Sequence, residues 1–387
     1  MSASSSVCAM PAMGASARGA ASASSSSSST RVRRHQLRQG QRRATFTTTT
    51  RATPTVTYDK IFDETTGQDV EVLSQSVERV DLGSGVEWSY RVGVAVPAEG
   101  ETKKDVKVVM VHGVGSRAYT FRAMSRRLQE CGFETYAVDA TGHGDSSKPA
   151  PGRGLAAYDA EATAAALEAF LEKTGLSSEP VDLVLHGFII PQHVLLLVAK
   201  KPGLFRRVAI MNTPLAPSHA YPPAMATYTR PFGMGKGAPF DAVGYLYNGN
   251  EFAIPGDIMS EYEKPYVGDE AEAARAAAEA YVSKSSDAKK LVNQVKTALS
   301  ARGLPKMRVI WGTTDRYLDD APIYDWCADV RASFSAARKV GHMPQEDYPA
   351  DAADRCVDFF TADLRASARA ALDSVRVGKI TVDDGTG

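Results

Sequence analysis

The sequence predicts an α/β protein: a mostly parallel sheet with helices on both faces, interrupted by an inserted helical cap. Three observations carry that prediction. Short β-branched strands alternate with helical segments from Val106 to Met211. The alternation stops between about Pro214 and Arg302, and it resumes at Met307–Trp311. Strands joined through helices need right-handed crossovers, and so a parallel sheet covered on both faces.

From about Val70 to Pro97, apolar and polar residues alternate around Gly83-Ser84-Gly85, the pattern of an antiparallel hairpin. Val106–Val111 is a β-branched strand ending at His112-Gly113, and Thr120–Cys131 reads as a helix. Phe133–Val138 is the next strand, followed by the Ala/Glu-rich helix Ala160–Thr174 and the strand Val181–Leu185. Pro191–Lys200 is a helix with proline in its first turn, where the missing N–H costs little. Arg207–Met211 is a strand. The interruption holds Pro/Gly-rich loops, many aromatics and the Ala-rich helix Asp269–Tyr281, and a final helix spans about Ala350–Ala368. The predicted organisation is therefore a leader over 1–58, core over 66–213 and 303–372, a cap over 214–302 and a tail over 373–387.

A chain of 387 residues with 43% apolar residues can build one large core. Its net charge of zero hides an asymmetry. No acid precedes Asp59, yet Arg18, Arg31, Arg33, Arg34, Arg38, Arg42, Arg43 and Arg51 all do. Without those eight arginines, 37 basic residues face 45 acidic ones, a net of −8. Such a body repels phosphate backbones, which argues against nucleic-acid binding.

The leader is rich in Ser, Ala and Thr, including Ser24–Ser29 and Thr47–Thr50. That is the composition of a transit peptide. Dominant Ser/Thr and the lack of an amphipathic Arg helix favour the chloroplast, in the stroma or peripheral to its membranes, over the mitochondrion. Cys8 lies in the leader, and Cys131, Cys327 and Cys356 are too far apart for a zinc motif, so they read as buried thiols. The longest apolar run, Leu183 to Ala199, is broken by His186, Pro191, Gln192 and His193 and does not read as a membrane span. Gly233-Met234-Gly235-Lys236-Gly237 follows no strand and is a turn rather than a phosphate loop. No cofactor and no metal are expected.

Four motifs then fall in order: His112-Gly113-Val114-Gly115, Asp139-Ala140-Thr141-Gly142-His143-Gly144-Asp145-Ser146, Trp311-Gly312-Thr313-Thr314-Asp315 and Gly341-His342-Met343-Pro344. Over roughly residues 80–370 the chain resembles the α/β-hydrolase superfamily, in its capped branch of haloalkane dehalogenases, epoxide hydrolases and related plant chloroplast proteins. The resemblance implies about eight strands, with nucleophile, acid and histidine in that chain order. Asp315 matches the acid and His342 the base. A carboxylate on one ring nitrogen fixes the tautomer and leaves the other free to take a proton.

The nucleophile position is the departure. The elbow reads Leu185-His186-Gly187-Phe188-Ile189, which puts glycine where serine or aspartate belongs. No acyl- or alkyl-enzyme can form on glycine. Either Gly187 keeps the turn through its tolerance of positive φ, or bulky Leu185 and Ile189 mean that the turn has relaxed. His186 and Ser116 are the substitute nucleophiles a slipped alignment would offer. The expected oxyanion donors are the N–H groups of Phe188 and of the loop after Gly113, Val114 in particular. Phe188 and Val114 stand where dehalogenases hold halide with Trp and Asn, which disfavours dehalogenation. Tyr245, Tyr247, Tyr262 and Tyr266 are cap tyrosines available for epoxide activation, with packing as their ordinary role.

The expected ligand is a small lipophilic molecule between sheet and cap. Two functions stay open. One is an atypical enzyme in which His342, oriented by Asp315, is a general base. The other is an inactive binding or regulatory protein of the same fold.

Overall fold

The computed structural model describes residues 56–63 and 68–363. All but the last three residues of the predicted leader, and the whole predicted tail, lie outside these residues. Cys8 does too.

Ten strands are described: β1 (Tyr58–Asp63), β2 (Gln68–Leu73), β3 (Ser76–Gly83), β4 (Val86–Gly93), β5 (Lys107–Val111), β6 (Glu134–Val138), β7 (Val181–His186), β8 (Phe205–Met211), β9 (Lys306–Gly312) and β10 (Ser333–Ala337). β1 and β2 form a separate antiparallel ribbon. The other eight make one sheet in the order β10-β9-β8-β7-β5-β6-β4-β3. Pairing is parallel from β10 across to β6 and antiparallel for β4 with β6 and β3 with β4. The hairpin turns at Gly83, Ser84 and Gly85, all at positive φ, as its sequence predicts.

Central strands explain their own composition. Val108, Val109, Met110 and Val111 of β5 and Leu183, Val184 and Leu185 of β7 are at most 1% exposed. A strand covered on both faces reads as a continuous apolar run rather than an alternation. Helices Ala160–Lys173 and Ile190–Lys200 pack on each other, as do Arg122–Glu130 and Pro349–Phe360. Asp159 caps the first of these by accepting from the Ala162 N–H at 2.9 Å, worth about 1 kcal/mol.

No strand lies between β8 and β9 among the described residues. That stretch holds the helices Pro223–Ala226, Ala242–Gly249, Gly256–Glu263, Ala271–Lys284 and Ala288–Leu299. The last of them packs on the core helix Ile190–Lys200. Among the described residues no helix is long and apolar enough to cross a membrane. Cys131, Cys327 and Cys356 are buried.

Candidate active site

The turn after β7 keeps its sharp form. Gly187 has φ +92°, between β7 and the helix Ile190–Lys200. A second kink follows at Ile189 (φ +67°, ψ −67°), where the Ile190 N–H donates to the Phe188 carbonyl at 2.9 Å. That is a three-residue γ-turn of the rare, strained hand, on a β-branched side chain that disfavours positive φ. Gln192 holds the kink by accepting from the Ile189 N–H (3.1 Å) and donating to the Pro214 carbonyl (3.0 Å). The loop after β5 presses against this turn. A Cβ on Gly113 would lie 2.4 Å from the Phe188 nitrogen, so only glycine fits there.

Asp315, beyond the end of β9, and His342, beyond the end of β10, meet beside the turn. The Nδ1–H of His342 donates to Asp315 Oδ2 at 2.8 Å, and both side chains are fully buried. Asp315 also accepts from Asn212 Nδ2 (2.8 Å) and from the N–H groups of Tyr317 (2.8 Å) and Leu318 (3.2 Å). Four donors compensate the burial of this carboxylate. The Nδ1–H tautomer of His342 follows from that network. Nε2 is then an acceptor, and its partner is the hydroxyl of Tyr245 at 3.1 Å.

Tyr245 comes from the cap helix Ala242–Gly249. Its oxygen lies 3.8 Å from where a Cβ on Gly187 would be, so a phenol occupies the space next to the missing side chain. Burial holds that phenol well above its usual pKa, which keeps it a protonated donor. Its ring stacks on Tyr317 at 5.7 Å, and Tyr317 in turn donates to the Tyr245 carbonyl at 2.8 Å. The His342 N–H donates to the Gly249 carbonyl at 2.7 Å, closing the same cap helix onto the core. Phe188 packs over His342 with ring centroids 5.0 Å apart.

The other predicted residues divide. Val114 is corrected as an oxyanion donor: its N–H donates to the Phe188 carbonyl at 3.0 Å and is not free for a ligand. The Phe188 N–H has no hydrogen-bond acceptor among the described residues. His186 is tied at both nitrogens, donating from Nε2 to the His342 carbonyl (2.8 Å) and accepting at Nδ1 from Gln345 (3.0 Å). Ser116 is buried, and its hydroxyl has no partner among the described residues. Among the cap tyrosines, Tyr262 bonds Glu346, Tyr266 stacks on Phe240 at 4.9 Å, and Tyr247 is 67% exposed. Only Tyr245 reaches His342.

The motif over Asp139–Ser146 is a structural knot. Asp139 accepts from the N–H groups of Ala118 (2.6 Å) and Asp145 (2.9 Å), and a Cβ on Gly144 would strike its carboxylate at 2.1 Å. Asn212 is the site residue that sequence reasoning missed. It stands one residue past β8 at φ +31°, the backbone asparagine tolerates best, and that position is its only signal. Among the described residues no cluster of His, Cys, Asp or Glu has the form of a metal site.

The alpha/beta hydrolase family matches residues 108–355, which takes in β5, the turn at Gly187, Asp315 and His342. Solved structures agree in fold. The haloalkane dehalogenase DbeA from Bradyrhizobium elkani USDA94 is 19% identical with a TM-score of 0.61, covering 76% of this chain and 100% of its own. The haloalkane dehalogenase DatA from Agrobacterium tumefaciens C58 is 19% identical, with a TM-score of 0.59 over 75% of this chain and 97% of its own. A proposed lipase, lip1, from Acinetobacter baumannii AYE is 14% identical, with a TM-score of 0.59 over 75% and 92%. No curated protein matches the chain by sequence.

Proposed function

This chain belongs to the alpha/beta hydrolase family, and from that premise we propose that it works by acid–base chemistry without a covalent intermediate, on a small lipophilic molecule in the plastid. The observation that carries this reading is the unbroken chain Asp315–His342–Tyr245, at 2.8 and 3.1 Å, beside Gly187. A carboxylate, an imidazole and a phenol stand in the order in which a hydrolase sets acid, base and hydroxyl. Glycine offers no atom for an ester linkage.

In this scheme a ligand enters between cap and core and takes the place of the Tyr245 hydroxyl at Nε2. His342 removes a proton from the ligand or from a water, and Asp315 stabilises the imidazolium. The Phe188 N–H receives the developing anion. One donor gives a weaker anion site than the pair that active relatives use. Direct hydrolysis, elimination and isomerisation all fit that chemistry. Dehalogenation, the activity named for DbeA and DatA, is not carried over, because position 187 lacks an aspartate and Phe188 and Val114 offer no side-chain halide donor. Buried Val114, Phe188 and Ile189 support a lipophilic ligand. The acid-free, arginine-bearing leader supports the plastid address.

A second reading, a binding protein without turnover, is favoured by the packing of Phe188, Tyr245 and Tyr317 on His342. The two readings separate on one experiment. The full chain and His342→Ala are assayed against aryl esters, epoxides and cyanohydrins, and both are examined by native mass spectrometry for a retained small molecule. Turnover by the wild type that falls at least about a hundredfold in the variant supports the enzyme. Equal turnover in both overturns it, and a retained ligand without turnover selects the binding protein.

A further inference from the structure

We propose that the cap carries a lipid-docking tip over residues 230–236, which inserts into the surface of an anionic bilayer. Phe232 is fully exposed and Met234 is 68% exposed, an unusual display for the largest apolar side chains of one short loop. Phe232 also sits at φ +56°, ψ +20°, the left-handed region that a bulky residue occupies only at a cost. The backbone is thus strained in the conformation that presents the ring to solvent.

The base of the loop is fixed. A Cβ on Gly235 would lie 1.6 Å from the Thr227 carbonyl oxygen, so the chain folds tightly on itself there. The Tyr228 hydroxyl donates to the Ala238 carbonyl at 2.8 Å, and the Gly237 N–H donates to Glu279 at 3.0 Å. Glu279 is itself neutralised by Arg275 at 2.8 Å. A pinned base with an apolar tip loses little freedom when the tip is buried.

Charge names the partner. Arg230 and Lys236 flank the tip and are exposed. The stretch 183–240 contains no Asp or Glu, although the body as a whole is net acidic. Two cations beside two apolar side chains match a surface with negative headgroups above hydrocarbon. A protein partner fits less well, because a stable interface needs about 800 Å² from each side and one large aromatic supplies about 200 Å². The same stretch continues to Phe240, which packs on Gly115 and lies 6.4 Å from the Tyr245 ring. A docked tip would therefore lie on the segment that closes the candidate site, where a lipophilic ligand could arrive from the bilayer.

The test uses the full chain with Phe232→Trp. The arginine-rich leader would itself attract anionic vesicles, so the readout must be local. The native Trp88, Trp311 and Trp326 are at most 2% exposed, which leaves a tryptophan at the tip as the reporter. Phosphatidylcholine vesicles with brominated acyl chains are used with and without phosphatidylglycerol. The expected result is a blue shift and strong quenching on the anionic vesicles only. Adding Arg230→Glu and Lys236→Glu should weaken the quenching at least about twenty-fivefold in lipid concentration, since each cation near the surface is worth roughly a factor of five and each reversal adds repulsion. Absence of quenching overturns the proposal, as does quenching indifferent to the two charge reversals. So does a concentration-dependent blue shift without lipid, which would show the tip covered by a second copy of the chain.

Discussion

Gly187→Ser combined with Tyr245→Phe should turn an inert site into one that takes up an organophosphonate. The wild type should gain no adduct, and the double variant one per chain, mapped to position 187 by peptide mass. The expectation follows from space and hydrogen bonding. A Cβ at 187 meets the Gly113 backbone at 3.3 and 3.4 Å, tight but within reach of a shift of a few tenths of an ångström. The positive φ of Gly187 costs an L-residue about 1–3 kcal/mol, a price that active elbows of this fold also carry. Removing the Tyr245 hydroxyl frees His342 Nε2 to accept from the new serine. Gly187→Ser alone should react more slowly, because the phenol still competes for that nitrogen. With Val114 bonded to Phe188, phosphonylation should remain about 10²–10³-fold slower than in a site with two donors. The triple variant with His342→Ala should not react. A folded double variant that stays unlabelled would show that His342 cannot activate a hydroxyl at 187.

Acid should unfold the protein well before its carboxylates are neutralised. Among the described residues burial lowers the pKa of five histidines, His112, His143, His186, His193 and His219. Burial lowers His112 and His193 to about 4 and His143 to about 3, and His186 well below the usual value, with like-charge repulsion from His342 adding to the burial of His186. The unfolded chain takes up protons below about pH 6.5 that the folded chain refuses, so stability is full above that pH and falls towards pH 4. A histidine with a folded pKa of about 4 forfeits about 3 kcal/mol across that window. Asp182, raised to about 6 by burial against the opposing pull of Arg206, works in the other direction and offsets about one histidine, and Asp139 and Asp347, also raised by burial, add to that offset. The remaining loss rivals a total stability of about 5–15 kcal/mol. The urea midpoint should drop by roughly half between about pH 7 and pH 5, and His193→Gln should flatten the slope by about one proton. A midpoint constant over that range would contradict the burial of these rings.

The legible parts of the fold are those in which one residue pattern maps to one burial pattern. β5, β7 and the helix Ala160–Lys173 were readable because their apolar runs and periodicity record a covered surface. β1 was not, because Tyr58 and Ile61 are 57% and 39% exposed and record no covered surface. β10, Ser-Phe-Ser-Ala-Ala, carries too little β-branched content to announce an edge strand. At the site, Asp315 and His342 could be named from motifs that end strands. The fate of the Val114 N–H could not, because it depends on a carbonyl 74 positions away turning back through the strained Ile189. Nor did the chain distinguish Tyr245 from its three neighbours in the cap, since all four are tyrosines in one helical region and only helix placement selects one.

The claim on which the functional reading rests is that Tyr245, His342 and Asp315 form one hydrogen-bonded relay beside Gly187. Nitrogen-15 NMR of the histidine rings in the full chain tests it without a substrate. The relay requires His342 to carry its proton on Nδ1, as a far-downfield resonance that disappears in Asp315→Ala. It also requires an unprotonated Nε2 whose shift moves when Tyr245→Phe removes its donor. A proton on Nε2, or an Nε2 resonance indifferent to Tyr245→Phe, would contradict it.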